Sequence, residues 1–229
     1  MTWALMRPVT AVRRRRTKRR LGDVEFGTFE ANHYRPSFAR FRAAALADRS
    51  LLLDANLDGG VILDVGGFEG GWSNRLVRHI GDTPVRILAF EPVPMMADKW
   101  RPTDPRVELH RVGLAGSDRT EKITLEGQGS TIFGAGTFEI QMRDVDNLLR
   151  TEGVERVDLA KVNIEGGEYE LIDRMHATGL LDRTRTLIIQ FHDFVPGAHR
   201  LRRRARRLLE ETHECTWCYP WVYERWDHR

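Results

Sequence analysis

Three short stretches of this 229-residue chain carry side chains suited to chemistry, and each sits where an apolar run gives way to a turn. The first, LDVGGFEGGWS at 63–73, packs Gly66, Gly67, Gly70 and Gly71 into six positions, with the carboxylates Asp64 and Glu69 beside them. The second, KVNIEGGEYE at 161–170, sets Asn163, Glu165 and Glu168 around a Gly-Gly turn. The third, FHDF at 191–194, closes an apolar run with His192 and Asp193. A neutral imidazole is a suitable proton acceptor near pH 7, so His192 is a candidate general base, and Asp193 and Glu165 join it as candidate catalytic groups. Glu168 precedes a helical pattern and also suits a helix start, where acids are favoured. Asn163, Glu165 and Asp193 offer hard oxygens of the kind Mg²⁺ takes together with water.

The glycine turn poses a question of charge. A dinucleotide site uses Gly-x-Gly-x-x-Gly to bring backbone N–H groups and a helix N-terminus to a pyrophosphate. Here the order is Gly66-Gly67-Phe68-Glu69-Gly70-Gly71, and two carboxylates would repel phosphates by on the order of a kcal/mol or more in a partly dry site. A cation reverses that sign. S-adenosylmethionine has no phosphate and carries a sulfonium and an ammonium, while still needing glycines for close backbone approach. Glu91, in LAFEPVP and 21 residues beyond Gly70, closes the next apolar run, where an acid can accept from two ribose hydroxyls.

These residues require elements that hold them at one edge. Apolar runs at 61–65, 85–92, 107–114, 157–164 and 185–194 read as buried strands, and helical spacing recurs at 70–81, 95–100, 145–152 and 168–179. Strands alternating with helices predict an α/β fold with a mostly parallel sheet covered on both faces. Ligands in such folds sit beyond the carboxyl ends of the strands, where Asp64, Glu91, Gly113, Asn163, Glu165, His192 and Asp193 all fall. Ser37 is placed to cap a helix over 38–55, and alternation at 120–127 and 137–143 predicts two half-exposed strands. The glycine-rich segment 127–136 between them is a candidate lid, with Ser130, Thr131 and Phe133 toward the acceptor.

At this point the sequence resembles a known family. ILDVGGFEGGWS, AFEPVP, HRVGLAGSDRT and VDLAKVNIEGGEYELI are similar to the FkbM family of class I S-adenosylmethionine-dependent methyltransferases, in the family's order, over roughly 60–193. The resemblance implies a Rossmann-like, seven-stranded sheet with a reversed last strand, and methyl transfer to oxygen, often on a sugar or polyketide. It places Asp64 and Gly66 at the methionine arm, Glu91 at the ribose, and Val112, Gly113 and Ser117 or Asp118 near the adenine. Gly67, Glu69, Pro92 and Asn163 complete the candidate cofactor set. Asn163 stands where the family usually has aspartate; it keeps an acceptor oxygen but loses the charge.

Composition frames the function classes. The chain is 41% hydrophobic and 30% charged, with no run near the roughly 20 apolar residues of a membrane span and no secretory leader, so the expectation is a cytoplasmic enzyme. Its net charge of +3 comes mainly from basic clusters at 13–20 and 199–207. The first reads as a flexible arm (residues 1–22) suited to anionic surfaces, ahead of one domain over 23–229; the second reads as a solvated helix face. Cys215 and Cys218 have zinc-like spacing but no second pair, so they read as packing in the terminal strands, and Lys161 reads as one half of a buried ion pair. The reading that joins these features is an O-methyltransferase acting on a small-molecule or glycoconjugate hydroxyl. Two rivals remain: a nucleic-acid methyltransferase, although NIEGG lacks an Asn-Pro-Pro-Tyr-like motif, and a non-catalytic S-adenosylmethionine-binding protein.

Overall fold

The computed structural model describes residues 35–53, 57, 59–126, 129–131 and 138–229. The basic arm, and all of the proposed lid except 129–131, lie outside them. In chain order the elements are α1 (Arg35–Ala47), β1 (Val61–Val65), α2 (Gly71–Ile80), β2 (Arg86–Phe90), α3 (Pro94–Ala97), β3 (Val107–His110) and β4 (Gly113–Ala115). There follow β5 (Arg119–Glu126), β6 (Gly129–Thr131), β7 (Phe138–Asp144), α4 (Val145–Thr151), β8 (Leu159–Val162), α5 (Glu168–Ala177), β9 (Thr186–Ile189), α6 (Ala198–Leu209), β10 (His213–Tyr219) and β11 (Tyr223–His228).

Seven strands form the main sheet in the order β10-β11-β9-β8-β1-β2-β3. β3, β2, β1, β8 and β9 are mutually parallel, and β11 runs antiparallel to both β9 and β10. This is the Rossmann-like, reversed-last-strand sheet that the resemblance implies. The chain steps outward from β1 through β2 to β3 and then returns to the other side at β8. The β1 and β8 ends are therefore the topological switch point where ligands bind in such sheets.

Strand alternation sends side chains to two cores. Leu63, Val65, Leu88 and Phe90 pack with α4, α5 and α6 residues such as Leu149, Ile172 and Leu209. Ile62, Ile87 and Ala89 pack on the other face with Phe41 of α1 and Trp72 and Leu76 of α2. Burial on both faces explains why these strands read as unbroken apolar runs.

Three boundaries differ from the sequence reading. Ser37 lies inside the first turn of α1 rather than capping it. The run at 107–114 is two strands: β3 stays in the main sheet, a bend at 111–112 intervenes, and β4 leaves to pair with β7. The run at 185–194 is strand only to Ile189, because beyond the end of β8 the backbone at His192 is bonded by side chains instead.

Candidate active site

The glycine turn closes against protein before it meets any ligand. Gly66 and Gly67 both donate to the Phe90 carbonyl, at 3.0 and 2.9 Å, tying the β1 end to the β2 end. Gly66 has φ +83°, and a Cβ there would lie 1.9 Å from the Asn163 carbonyl oxygen. Only glycine lets β1 and β8 approach so closely. A Cβ on Gly70 would lie 2.1 Å from the Trp100 ring, which also stands 3.0 Å from the Cβ position of Gly67. The glycine spacing therefore serves an indole as well as a backbone turn.

The acids beside this turn have separate fates. Asp64 is fully buried and accepts from Lys161 Nζ at 2.9 Å and Ser73 Oγ at 2.7 Å. Lys161 also donates to the Gly66 carbonyl at 2.7 Å, so the buried ion pair clamps the turn. Glu69 faces outward and pairs with Lys99 at 2.8 Å. Glu91, 6% exposed, is held by backbone: its two oxygens accept from Phe68 N and Val93 N, each at 2.8 Å. Burial pushes the Glu91 carboxyl above its ordinary value, while those two N–H donors and Lys161 pull the other way. The two flanking acids are thus compensated within the protein, and Glu91 is the acid held by backbone donors at the strand end.

The β8 and β9 ends are built differently. Glu165 and Gly166 are consecutive left-handed residues, at φ +51° and +110°, which turn the chain sharply into α5. Glu168 is fully buried at the first position of α5; its Oε2 accepts from Gly166 N at 2.9 Å, as a helix-start acid should. Its Oε1 accepts from His192 N at 2.7 Å and lies 3.3 Å from His192 Nδ1. His192 Nε2 stands 3.5 Å from Glu165 Oε2, and the Tyr169 hydroxyl donates to the His192 carbonyl at 2.5 Å. Burial disfavours charge on His192, but Glu168, Glu165 and Asp193 outweigh it and hold the imidazole above its usual value. Burial likewise raises Glu165. Asp193 is exposed, and so is Phe194, half-exposed with its ring 5.3 Å from the imidazole.

The structure sets His192 beside Glu165, both candidate catalytic groups in the sequence. The sequence offers Glu168 as a group at the Gly-Gly turn or as a helix cap; its contact with His192 spans 24 residues and leaves no local signal. Gly113 and Pro92 also meet: a Cβ on Gly113 would lie 2.5 Å from Met142 Sδ and 3.4 Å from Pro92 Cγ. Val112 is half-buried against the α4–α6 core. Ser117 and Asp118 are exposed, with Ser117 Oγ accepting from Arg119 and Asp118 accepting from Asp144 N at 2.7 Å. Among the described residues, the His, Cys, Asp and Glu side chains whose ligand atoms converge closely enough to hold an ion are Glu108, His110 and Glu152, and there Arg86 already bonds both glutamates.

The Methyltransferase FkbM domain matches residues 64–214, which include every residue of this site. The chain belongs to the FkbM methyltransferase family. The fold of this FkbM domain agrees with a solved Methyltransferase FkbM from Methylobacillus flagellatus KT, at a TM-score of 0.55 and 15% identity over 81% of this chain and 47% of that one. The chain thus spans about half the length of that relative. A TehB-like SAM-dependent methyltransferase from Corynebacterium glutamicum ATCC 13032 Kitasato aligns at a TM-score of 0.39 and 14% identity, over 86% of this chain and 98% of its own. No curated protein matches the sequence.

Membership makes S-adenosylmethionine the cofactor to test against this site, and the residues fit it. Each Glu91 oxygen carries one backbone hydrogen bond and retains capacity for a ribose hydroxyl. Asn163 Oδ1 is buried without a partner, an acceptor suited to an ammonium. Of the three non-glycine residues with left-handed backbones among those described, Phe68 and Glu165 lie at this site. Strain of this kind collects at functional sites.

Proposed function

We propose that this FkbM domain transfers a methyl group from S-adenosylmethionine to a hydroxyl of a small-molecule or carbohydrate acceptor. The observation that carries the reading is the imidazole of His192, buried between two glutamates one loop away from the glycine turn. The cofactor supplies an electrophilic methyl on a sulfonium sulfur. Glu91 and Asn163 orient the cofactor's ribose and amino-acid arm beside the turn that Gly66 and Gly67 close at the β1 end. Glu168 fixes Nδ1 of His192, which leaves Nε2 to accept the acceptor's hydroxyl proton. Glu165, 3.5 Å from that nitrogen, stabilises the imidazolium that results. Phe194 offers an exposed ring beside the base, and Asp193 an exposed carboxylate for a neighbouring hydroxyl. Mg²⁺ has no part in this reading.

The test follows labelled methyl from S-adenosylmethionine into a panel of sugars, polyols and polyketide alcohols, with cofactor binding measured by calorimetry. O-methyl product formed at an undiminished rate after exhaustive chelation supports the reading. Cofactor binding with transfer only to nitrogen, sulfur or nucleic acid, or with no transfer to any acceptor, overturns it.

A further inference from the structure

Two consecutive side chains of α5 hold the backbone of His192 from both sides. The β9 ladder ends just before it: Ile189 is the last residue of β9, and Gln190 N donates to the Val162 carbonyl at 2.9 Å. Two residues further on, side chains take over the pairing that buried peptide groups require. The His192 N–H donates to Glu168 Oε1 at 2.7 Å, and the His192 carbonyl accepts from the Tyr169 hydroxyl at 2.5 Å. Neighbouring residues on a helix point about 100° apart, so the two side chains reach His192 from different directions. Glu168 also reaches the ring, at Nδ1; Tyr169 acts through the main chain.

Packing fixes the phenol. Tyr169 is 6% exposed, and its ring stacks on Phe191 at 5.6 Å and 24°. Phe191, immediately before His192, is buried in the same core. Burial, with the neighbouring Glu168 charge, drives the Tyr169 phenol far above its ordinary value, so the hydroxyl stays a donor across the neutral range. Arg202 of α6, paired with the buried Glu224 of β11, pulls the other way and is outweighed.

The N–H of His192 belongs to the peptide plane before its Cα, and the carbonyl to the plane after it. Holding both planes fixes φ and ψ, and with them the direction in which the Cα–Cβ bond leaves the chain. That direction decides where the imidazole lies between Glu168, 3.3 Å from Nδ1, and Glu165, 3.5 Å from Nε2. We propose that Tyr169 is a positioning residue, which holds the main chain of His192 so that the imidazole sits between these two glutamates. Its kinetic consequence rests on the reading of His192 as the general base; the placement of the ring does not. Without the hydroxyl, the His192 carbonyl is a buried acceptor that has lost its donor, and the 192–193 peptide turns to find another.

The test is Tyr169→Phe in the full chain, which keeps the ring and its stack on Phe191 and removes only the hydroxyl. The first measurement is an NMR titration of the His192 ring, assigned by its disappearance in His192→Ala. Glu165 and Glu168 face the ring from the β8–α5 side and Asp193 from its own loop, and against burial they hold it above the ordinary histidine value. Loosening the ring from them should bring its titration back toward that value; an unchanged titration would overturn the proposal. The second measurement is methyl transfer in a double-mutant cycle. Tyr169→Phe should lower kcat roughly tenfold, within the cost of a displacement of about 1 Å, and leave KM for S-adenosylmethionine within twofold. In the His192→Ala background the same substitution should cost less than about twofold. An equal loss in both backgrounds would assign Tyr169 to general packing and sink its positioning role. If His192→Ala retains full transfer, the base reading fails, and the NMR titration alone decides the role of Tyr169. Should Tyr169→Phe fail to fold, Tyr169→para-fluorophenylalanine fills the space of the hydroxyl without donating, and the same outcomes decide.

Discussion

The two halves of the sheet edge handle charge in opposite ways. At the β1 and β2 ends, Asp64 is matched by Lys161 and Glu69 by Lys99, while Glu91 rests on two backbone donors. At the β8 and β9 ends, Glu165, Glu168 and Asp193 surround one imidazole and raise its affinity for a proton. The first half is a holding device and the second a proton-handling device. Asn163 belongs to the loop that joins them, with its carbonyl against Gly66 and Glu165 two residues on.

The comparison breaks most visibly at His192. His192→Ala should lower methyl transfer by about 10²–10⁴, the usual contribution of a general base, with cofactor affinity within twofold of wild type. Parallel rate and calorimetric measurements check this; an equal fall in affinity would show that the halves are not separate. Glu168→Gln should cost roughly tenfold in turnover and also move the pH profile. Glu168 favours the protonated imidazole, so transfer by wild type should rise with pH through a value above the ordinary histidine range. Removing that charge should shift the acidic limb to lower pH. A purely structural glutamate would reduce the amplitude and leave the limb in place.

How much of this was legible follows from the range of each interaction. β1, α2 and β2 could be read because a doubly covered strand is an apolar run and Gly81 stops the helix. The split of 107–114 could not, since β4 leaves the main sheet for a partner strand nearly thirty residues away and hydropathy does not change at the bend. The acids show the same limit. Their presence beside the glycines is local and argued for a cation, but Lys161 neutralises Asp64 from 97 residues away. That transfers the weight of the charge argument to Glu91. Glu168 looked like a helix-start acid and is one; its hold on His192 depends on β8 and β9 being neighbours, which no local pattern states.

The holding half gives smaller effects. Glu91→Gln should weaken S-adenosylhomocysteine binding about tenfold, or about 1.4 kcal/mol, with the unfolding midpoint little changed because an amide oxygen can still accept from one of the two N–H groups. Glu91→Ala is the less clean variant, since it strands Phe68 N and Val93 N. Burial raises the Glu91 carboxyl, so wild-type affinity should fall on acidification at a pH above the ordinary glutamate range, and Gln should remove that dependence.

Glu69 gives the smallest expected effect and the sharpest test of the division. Its sequence position is as close to the glycines as that of Asp64, and a sulfonium site would seem to want both. The structure instead turns it to solvent, with Lys99 at 2.8 Å and both side chains well exposed. Exposed pairs of this kind contribute about 0–1 kcal/mol and are screened by salt. Glu69→Gln should therefore change cofactor affinity by less than about twofold and leave turnover unaltered, both measured at low ionic strength, where a direct charge contact would be most visible. A tenfold loss of affinity would mean that Glu69 leaves Lys99 for the cofactor, and the holding half would then carry two working carboxylates in place of one.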